Sequence, residues 1–249
     1  MIKWVDSHAH PHYEPINAEN PIQEAFDGGI SHIMCVATAL KDYETLLSFK
    51  QKENVYASIG EHPLNEDLEA LEYENLLNLG QSMDAIGETG FDFQGDLKKQ
   101  AKSYEIHSQV AKELKKPIIL HTREAEDITK EMILKHPKVK GVFHCFTGSL
   151  SLAEFALEQG WKISFSGIIT FKKAEDLREI AKMIYKESKK SILIETDAPF
   201  LAPVPFRGKV NRPLYVKYVG EFLSQLLDED PAVFSKQIEE NFFDFLKGE

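Results

Sequence analysis

The chain has 249 residues, of which 43% are hydrophobic and 28% charged, and its formal net charge is −11. These proportions are ordinary for a soluble globular protein, and no stretch approaches the unbroken apolar length of a membrane span. The acidic balance argues against a protein that coats duplex DNA through a broad basic surface, because such binding depends on phosphate neutralisation. Residues 1–20 lack the charged start and apolar middle of a signal peptide, so we expect a cytoplasmic protein.

Short apolar runs recur along the whole chain and predict strands. In chain order they are IKWVD near residue 2, HIMCVA near 32, VYASIG near 55, DAIGE near 84, PIILH near 117, GVFHC near 141, WKISFSG near 161 and SILIETD near 191. Amphipathic patterns predict helices over about 41–52, 68–79, 96–115, 124–136, 150–159, 174–186, 213–227 and 231–246.

Strands that alternate with helices indicate βαβ units and a parallel sheet. Eight such units in this length predict an α/β fold of the (β/α)8 TIM barrel type, a parallel eight-stranded barrel with outer helices. A doubly wound open sheet is the alternative, but SHAHPHYEP follows the first strand where that fold has a glycine-rich phosphate loop. We find no linker or low-complexity segment, and predict a single domain over 1–249.

The end of the first predicted strand is rich in imidazole, with the sequence VDSHAHPHY at 5–13. Side chains two apart on a strand share a face, so His8 and His10 are expected to converge on one point, as metal ligands do. Taken alone, the pattern is also compatible with a solvated turn.

Further metal-capable residues come at the ends of other predicted strands: Glu88 ends the fourth, His121 the fifth, His144 the sixth and Asp197 the eighth. Each alone has a structural explanation, such as a hydrogen-bonded histidine or a helix-capping carboxylate. In a barrel, however, these positions share the rim on which active sites are built. Five strands that deliver such residues at one end predict a metal centre.

Six protein ligands exceed what one catalytic ion uses, so the sequence predicts two ions. A carboxylate can bridge two ions through its two oxygens, which makes Glu88 the natural bridge. In this hypothesis one ion lies on His8, His10 and Asp197 and the other on His121 and His144. Imidazole suits zinc, whereas carboxylates suit magnesium or manganese.

The remaining histidines are weaker candidates. His62, in GEHP at the end of the third strand, is expected to face the same rim as a substrate contact or proton-transfer group, or else to be a turn residue before a proline. His12 is ambiguous. We interpret His32, His107 and His136 as structural or surface residues.

The segments DSHAH, GEHP, IGETGFDF, KPIILHTREA, FHCFTGS, SFSG, ILIETDAPFL and NRP occur in this order. In this combination the chain resembles, nearly end to end, the TatD-type metal-dependent deoxyribonucleases of the amidohydrolase superfamily. The resemblance implies a barrel hydrolase with two divalent ions, magnesium or manganese, that cleaves DNA phosphodiesters, often from the 3′ end of single strands. The family ligands carry onto His8, His10, Glu88, His121, His144 and Asp197, and the substrate contacts onto His62 and Arg123.

The sequence departs from the family pattern at two places, and each departure has an expected consequence. Pro11 and His12 follow the HxH motif where the family commonly has Leu-Asp, so a carboxylate near the metals is missing and metal affinity is expected to differ. The sequence FQGD at 93–96 stands where the family often has aromatic and basic residues, which leaves substrate contacts in this loop open.

The expected chemistry assigns catalysis to Asp197, as a ligand that accepts a proton from the attacking water, and to Glu88, which fixes the separation of the ions. Cations and aromatic residues of the rim are candidates for substrate binding. They are Lys172, Lys173, Arg207, Lys209 and Arg212 for phosphates, and Phe146, Phe171, Phe200 and Phe206 for unpaired bases. The alternative is that these are solvated surface and packing residues.

Two other functions remain open at this point. One is a small-molecule amide, lactone or ester hydrolase on the same two-metal barrel, because fold and metals do not fix the substrate. The other is a binding protein without turnover. For the nuclease we expect single-stranded DNA as the partner, no membrane association, no organic cofactor and, since residues 213–246 carry no clear interface stripe, a monomer.

Overall fold

The structure is a computed structural model that describes residues 2–248, and its strands follow the eight predicted runs. They are β1 Trp4–Ala9, β2 Ile30–Cys35, β3 Val55–Ile59, β4 Ala85–Asp92, β5 Ile118–Arg123, β6 Gly141–Phe143, β7 Lys162–Phe165 and β8 Ile192–Ile194.

Helices connect the strands and cover the outside of the sheet. They are α1 Pro21–Asp27, α2 Tyr43–Lys50, α3 Tyr73–Gly80, α4 Leu97–Leu114, α5 Glu126–Lys135, α6 Leu150–Glu158, α7 Glu175–Glu187, α8 Val216–Leu226 and α9 Pro231–Leu246. Within residues 2–248, no helix is both long enough and apolar enough to cross a membrane.

The strands pair in parallel in the order β1 to β8. The segment after β8 then meets β1: the Asp197 N–H donates to the His8 carbonyl at 2.9 Å, and the His10 N–H donates to the Ala198 carbonyl at 2.8 Å. The predicted (β/α)8 barrel is confirmed. All strands end on the same face of the barrel, so the side chains that follow them can meet there.

Helix α1 was not predicted from the sequence. It has only seven residues, begins at Pro21, and buries Ile22 and Ala25 against the barrel. A segment this short carries too few periods to show an amphipathic pattern. The predicted helix over 68–79 begins later, at Tyr73, because residues 68–70 form a separate 3₁₀ turn.

The sequence placed Glu88 at the end of the fourth strand, and this is wrong. Strand β4 continues to Asp92, and its pairing with β5 shifts register between Ile86 and Thr89. Gly87 and Gly90, with φ of 135° and 139°, flank Glu88 at this bulge, and a Cβ at Gly87 would lie 2.6 Å from the Ile119 carbonyl oxygen. The bulge turns the Glu88 side chain into the site from within the strand.

Candidate metal centre

The two histidines of β1 converge as the alternation of the strand predicts. Their Nε2 atoms lie 3.1 Å apart, and both side chains are almost fully buried. The Nδ1 atom of His10 donates to the Val36 carbonyl at 2.8 Å, which turns its Nε2 inward. Asp197 Oδ1 lies 3.4 Å from His10 Nε2 and 3.7 Å from His8 Nε2, so these three residues form one side of the site.

Glu88 lies between the two halves of the cluster. Its Oε1 is 2.8 Å from His144 Nε2 and 3.0 Å from His121 Nδ1. Its Oε2 faces the other way, 3.5 Å from His8 Nε2. Because the two carboxylate oxygens face different histidines, Glu88 has the geometry of a bridging ligand.

Two carboxylates that the sequence reading missed orient the histidines from outside. Asp92 Oδ2 lies 3.1 Å from His121 Nε2, and Glu195 Oε1 lies 3.3 Å from His144 Nδ1. His121 therefore presents Nδ1 to the centre, whereas His144 presents Nε2. Carboxylates behind ligating histidines fix ring orientation and raise basicity. A signal was present, since Asp92 and Glu195 lie an even number of residues from predicted ligands on their strands.

The donor set fits divalent metal ions. Three groups of three side chains each offer atoms within 4.8 Å of one another: His8, Glu88 and His144; His8, His10 and Asp197; and His62, Glu88 and His121. Neutral imidazoles and carboxylates are the ligands that such ions take. The histidine nitrogens that face the centre lie mainly next to one another and to carboxylate oxygens. A cation shared by these atoms would be coordinated by them.

The electrostatics of the cluster also favour bound positive charge. Burial opposes ionisation of Glu88, but the surrounding histidines, His144 first, hold the pKa of its carboxyl well below the usual range. Burial likewise opposes a charged His144, yet Glu88 and Glu195 raise its pKa well above the usual value. His8 differs, because burial and the neighbouring His144 lower its pKa.

Asp197 is held by an internal scaffold. It adopts a left-handed backbone conformation with φ of 57°, which is uncommon for a residue with a side chain. Asp6 accepts from the Thr196 N–H at 2.8 Å and from its hydroxyl at 2.6 Å. Asn211, fully buried, donates its side-chain amide to the carbonyls of Thr196 and Phe200 at 2.8 and 2.6 Å. These bonds stabilise the turn that presents Asp197.

His62 reaches the same centre, and its hydrogen bonding favours a donor role for the neutral ring over a ligand role. The Leu64 N–H donates to His62 Nδ1 at 3.1 Å, so the ring proton must be on Nε2. That nitrogen lies 3.4 Å from Glu88 Oε1. Burial is the first cause that lowers the pKa of His62, to about 4, so the ring is neutral at neutral pH and presents an N–H donor.

Arg123, at the end of β5, lies on the rim beside the cluster. Its Nη1 is 3.9 Å from Asp92 Oδ2, and its guanidinium carbon is 5.8 Å from the centroid of the Phe93 ring. The Phe93 side chain belongs to the loop whose substrate contacts were left open, and it is 46% exposed. An exposed aromatic face next to a cation is therefore present in this loop.

The cluster forms the floor of a small pocket of about 270 Å³, called the inner pocket here. Its lining contains His62 and five of the six donor residues, together with Tyr13, Thr38, Asn65 and Phe200. None of these four was predicted as part of the metal site. Phe200 was predicted as a rim aromatic, and its ring is 50% exposed and 6.2 Å from that of Tyr13.

Three predicted rim residues make contacts within the protein. Phe146 is 2% exposed because it packs against Phe143 and Phe165 inside the barrel wall. Phe206 stacks on Tyr215 at 4.2 Å. Arg212 is paired with two glutamates of the N-terminal segment, residues 19 and 24. For Phe146 the packing interpretation is correct, whereas substrate contacts by Phe206 and Arg212 remain predictions.

The other histidines lie outside the cluster. His107 is buried on α4, where Nδ1 donates to the Ser103 carbonyl at 2.7 Å and Nε2 accepts from the Glu61 N–H at 3.0 Å. His32 and His136 lie 3.3 and 3.2 Å from glutamates on neighbouring helices. His12 Nε2 lies 3.5 Å from Asp42, so its ring is turned away from the centre.

Comparison with known proteins gives a consistent result. Residues 5–247 match the family model described as TatD related DNase. The chain is 38% identical over 236 residues to the uncharacterized metal-dependent hydrolase YcfH of Escherichia coli K12, which covers 89% of this chain and 87% of that protein. It is 36% identical over 237 residues to the uncharacterized metal-dependent hydrolase YabD of Bacillus subtilis, covering 89% and 90%.

Among solved structures, the crystal structure of YjjV, a TatD homologue from Escherichia coli K12, superimposes with a TM-score of 0.87 at 28% identity. The match covers 97% of each chain. The barrel and the order of its elements are therefore shared with a protein of known structure.

Proposed function

We propose, from the premise that this chain belongs to the TatD related DNase family of metal-dependent hydrolases, that it is a deoxyribonuclease that removes nucleotides from the 3′ end of single-stranded DNA. The observation that carries the proposal is the convergence of four imidazoles and two carboxylates in one cluster, five of which line a pocket of about 270 Å³. Such a pocket admits one terminal unit of a polymer, which favours an enzyme that acts from an end.

His8, His10 and Asp197 would hold one ion. His121 and His144, whose inward nitrogens lie 3.0 and 2.8 Å from Glu88 Oε1, would hold the other, with Glu88 shared between the two. When bound, divalent ions polarise a phosphoryl oxygen, lower the pKa of water and stabilise the leaving oxygen. The chain's own contribution includes orienting three of the six donors, His10, His121 and His144, through Val36, Asp92 and Glu195 before substrate arrives.

Asp197 is the proposed proton acceptor. Its carboxylate is 14% exposed, so it borders the inner pocket while Asp6 and Asn211 restrain the turn beneath it. Burial opposes ionisation of Asp197, but a hydrogen bond to His10 and the charges of nearby histidines lower the pKa of the carboxyl. It is thus ionised at neutral pH and able to take a proton from the attacking water.

His62 and Arg123 are the proposed substrate contacts. The Nε2–H group of His62 points into the pocket beside Glu88 and can donate to a phosphoryl oxygen. Arg123, which is half exposed at the rim, can pair with the next phosphate. These two donors address a negatively charged substrate, which supports a phosphodiester over a neutral ester or amide.

The test is hydrolysis of end-labelled single-stranded DNA by metal-stripped protein to which magnesium, manganese or zinc is restored separately. We expect metal-dependent laddering from one end for the wild type and for His136→Ala, a control histidine outside the cluster, and none for His144→Ala. If the protein binds metal yet cleaves no labelled strand, the deoxyribonuclease proposal fails, and a small-molecule ester, lactone or amide hydrolase becomes the better hypothesis.

A further inference from the structure

We propose that the apolar groove between α6 and α7 binds the part of a single-stranded DNA substrate that lies outside the inner pocket, with Phe171 and Arg207 as its outer anchor. This inference rests on the proposed deoxyribonuclease function. It identifies where substrate length would be recognised.

The groove adjoins the metal cluster through a series of neighbouring cavities. A middle cavity of about 570 Å³ shares the wall residues His121, His144 and Asp197 with the inner pocket. An outer cavity of about 840 Å³ shares Thr147, Gly148 and Ile168 with the middle cavity. The three cavities therefore lie in a row, called the track here, from the cluster over the loops that follow β5, β6 and β7 to the surface between α6 and α7.

The far end of the track depends on the loop that follows β8. Gly167 has no side chain, and a Cβ there would collide with the Leu201 carbonyl, so the loop crosses directly over the turn after β7. The Val204 N–H donates to the Thr170 hydroxyl at 2.9 Å and fixes this crossing. The guanidinium carbon of Arg207 consequently lies 4.4 Å from the centroid of the Phe171 ring.

The lining of the outer cavity suits unpaired bases. Its apolar surface is formed by Leu150, Ile168, Leu177, Ile180 and Met183. Leu150 is 49% exposed, so apolar surface is open to a ligand. Bases stack on aromatic side chains regardless of sequence, and Phe171 supplies the aromatic ring of this lining. This contact needs a single strand because paired bases present no free face.

The charges of the outer cavity set the direction in which phosphates would face. Lys173 and Arg207 are exposed cations at its rim, whereas Glu154, Asp176 and Glu179 are acidic groups of its walls. Phosphates would be repelled by the acidic walls and held by the two cations. The strand would thus place its bases on the apolar floor and its backbone toward Arg207.

The decisive experiment compares kinetics on a dinucleotide and on a single strand of about twelve nucleotides, a length within the usual site range. Arg207→Ala should raise KM for the long strand by about threefold to tenfold and leave the dinucleotide unchanged. The matched control is Lys186→Ala, which removes an exposed cation from the last turn of α7, outside the cavity lining. Equal behaviour of Arg207→Ala and Lys186→Ala on the long strand would overturn the proposal, as would an equal loss on both substrates.

A second variant is expected to bind the long strand more tightly, a result that damage to the fold would not produce. Glu179→Gln removes an acidic group from the wall and frees Lys182, its ion-pair partner at 2.8 Å, so it should lower KM for the long strand alone, by about twofold. An unchanged or raised KM would contradict a strand in this groove.

Failure of the proposed function gives a different pattern. If no phosphodiester is cleaved, the groove is tested by fluorescence anisotropy with a labelled single strand. Weaker binding by Arg207→Ala than by Lys186→Ala would keep the groove proposal while the deoxyribonuclease proposal fails. Equal binding by the two variants would overturn the groove proposal itself.

Discussion

The inner pocket and the outer cavity are built in opposite ways. In the inner pocket the side chains of Glu88 and His144 are 3% and 5% exposed, and hydrogen bonds from neighbouring strands orient the donors. In the outer cavity the decisive groups, Leu150 and Arg207, are exposed and belong to loops or helix ends. This contrast indicates that strands fix the reacting groups and that loops select what is brought to them.

The difference between the inner pocket and the outer cavity predicts that substitutions in the two regions have different kinetic effects. Changes in the inner pocket should reduce turnover of every substrate, because every substrate passes the same reacting groups. Changes in the outer cavity should affect binding of long substrates alone.

The largest effect is expected for Asp197→Asn. The amide cannot accept the proton and is a weaker ligand, so kcat should fall by about a thousandfold or more on short and long strands alike. The fold should remain, since the bonds of Asp6 and Asn211 to this turn do not involve the Asp197 side chain. Initial rates and a thermal melt measure both points. Near-normal rates in a folded variant would exclude the assigned role.

Glu195→Gln should produce an intermediate effect. The substitution keeps the size of the side chain but removes the negative charge behind His144 Nδ1. Loss of such a partner typically lowers metal affinity or activity by about 10- to 100-fold. Isothermal titration with manganese or zinc measures the affinity without any substrate. Wild-type affinity would show that Glu195 does not act through His144.

The contrast between the two regions also explains what could be read from the sequence. His8, His10, His121, His144 and Asp197 were identifiable because apolar runs mark strand ends, and the ends of a parallel barrel share one rim. The position of Glu88 within β4 was not, because a bulge depends on the pairing with β5. Local periodicity contains no information about such pairing.

The loop-built part of the site was harder to predict. Phe146 and Phe93 both follow strands, yet Phe146 is buried and Phe93 is 46% exposed. That outcome depends on which elements pack above each loop. The contact between Phe171 and Arg207 likewise joins residues far apart in the sequence, through the loop crossing at Gly167. Residue type identified candidate substrate contacts in these loops. Which candidates are exposed and which are packed in the core depends on the tertiary structure.

Phe93→Ala should have a smaller effect, confined to binding. The Phe93 ring lies beside Arg123, which lines the middle cavity, and loss of a stacking face should raise KM for single strands by about fivefold with kcat unchanged. Val233→Ala serves as the control, since Val233 is an apolar residue of α9 that is 56% exposed. Steady-state kinetics decide the outcome. A fall in kcat would place Phe93 with the reacting groups. It would contradict the assignment of rim residues to binding and of pocket residues to turnover.

His107 should have the smallest kinetic effect, because it belongs to neither region, but it should affect stability. Burial lowers its pKa to about 4, below the ordinary 6.5. The folded protein therefore resists protonation that the unfolded chain accepts, so the free energy of unfolding should fall as pH decreases from about 6.5 to 4. Two and a half pKa units correspond to roughly 3 kcal/mol at most.

Denaturant unfolding of His107→Gln and wild type across this pH range isolates the contribution of His107, since the other titrating groups are common to both proteins. The variant should lose less stability on acidification, whatever its stability at neutral pH. Its kcat and KM for short and long strands should match those of the wild type, because His107 bonds to backbone atoms of Ser103 and Glu61 and not to a metal donor. Parallel stability curves would show that protonation of His107 is not resisted by the fold. A kinetic defect would show that the β3 loop carrying His62 transmits the change to the inner pocket.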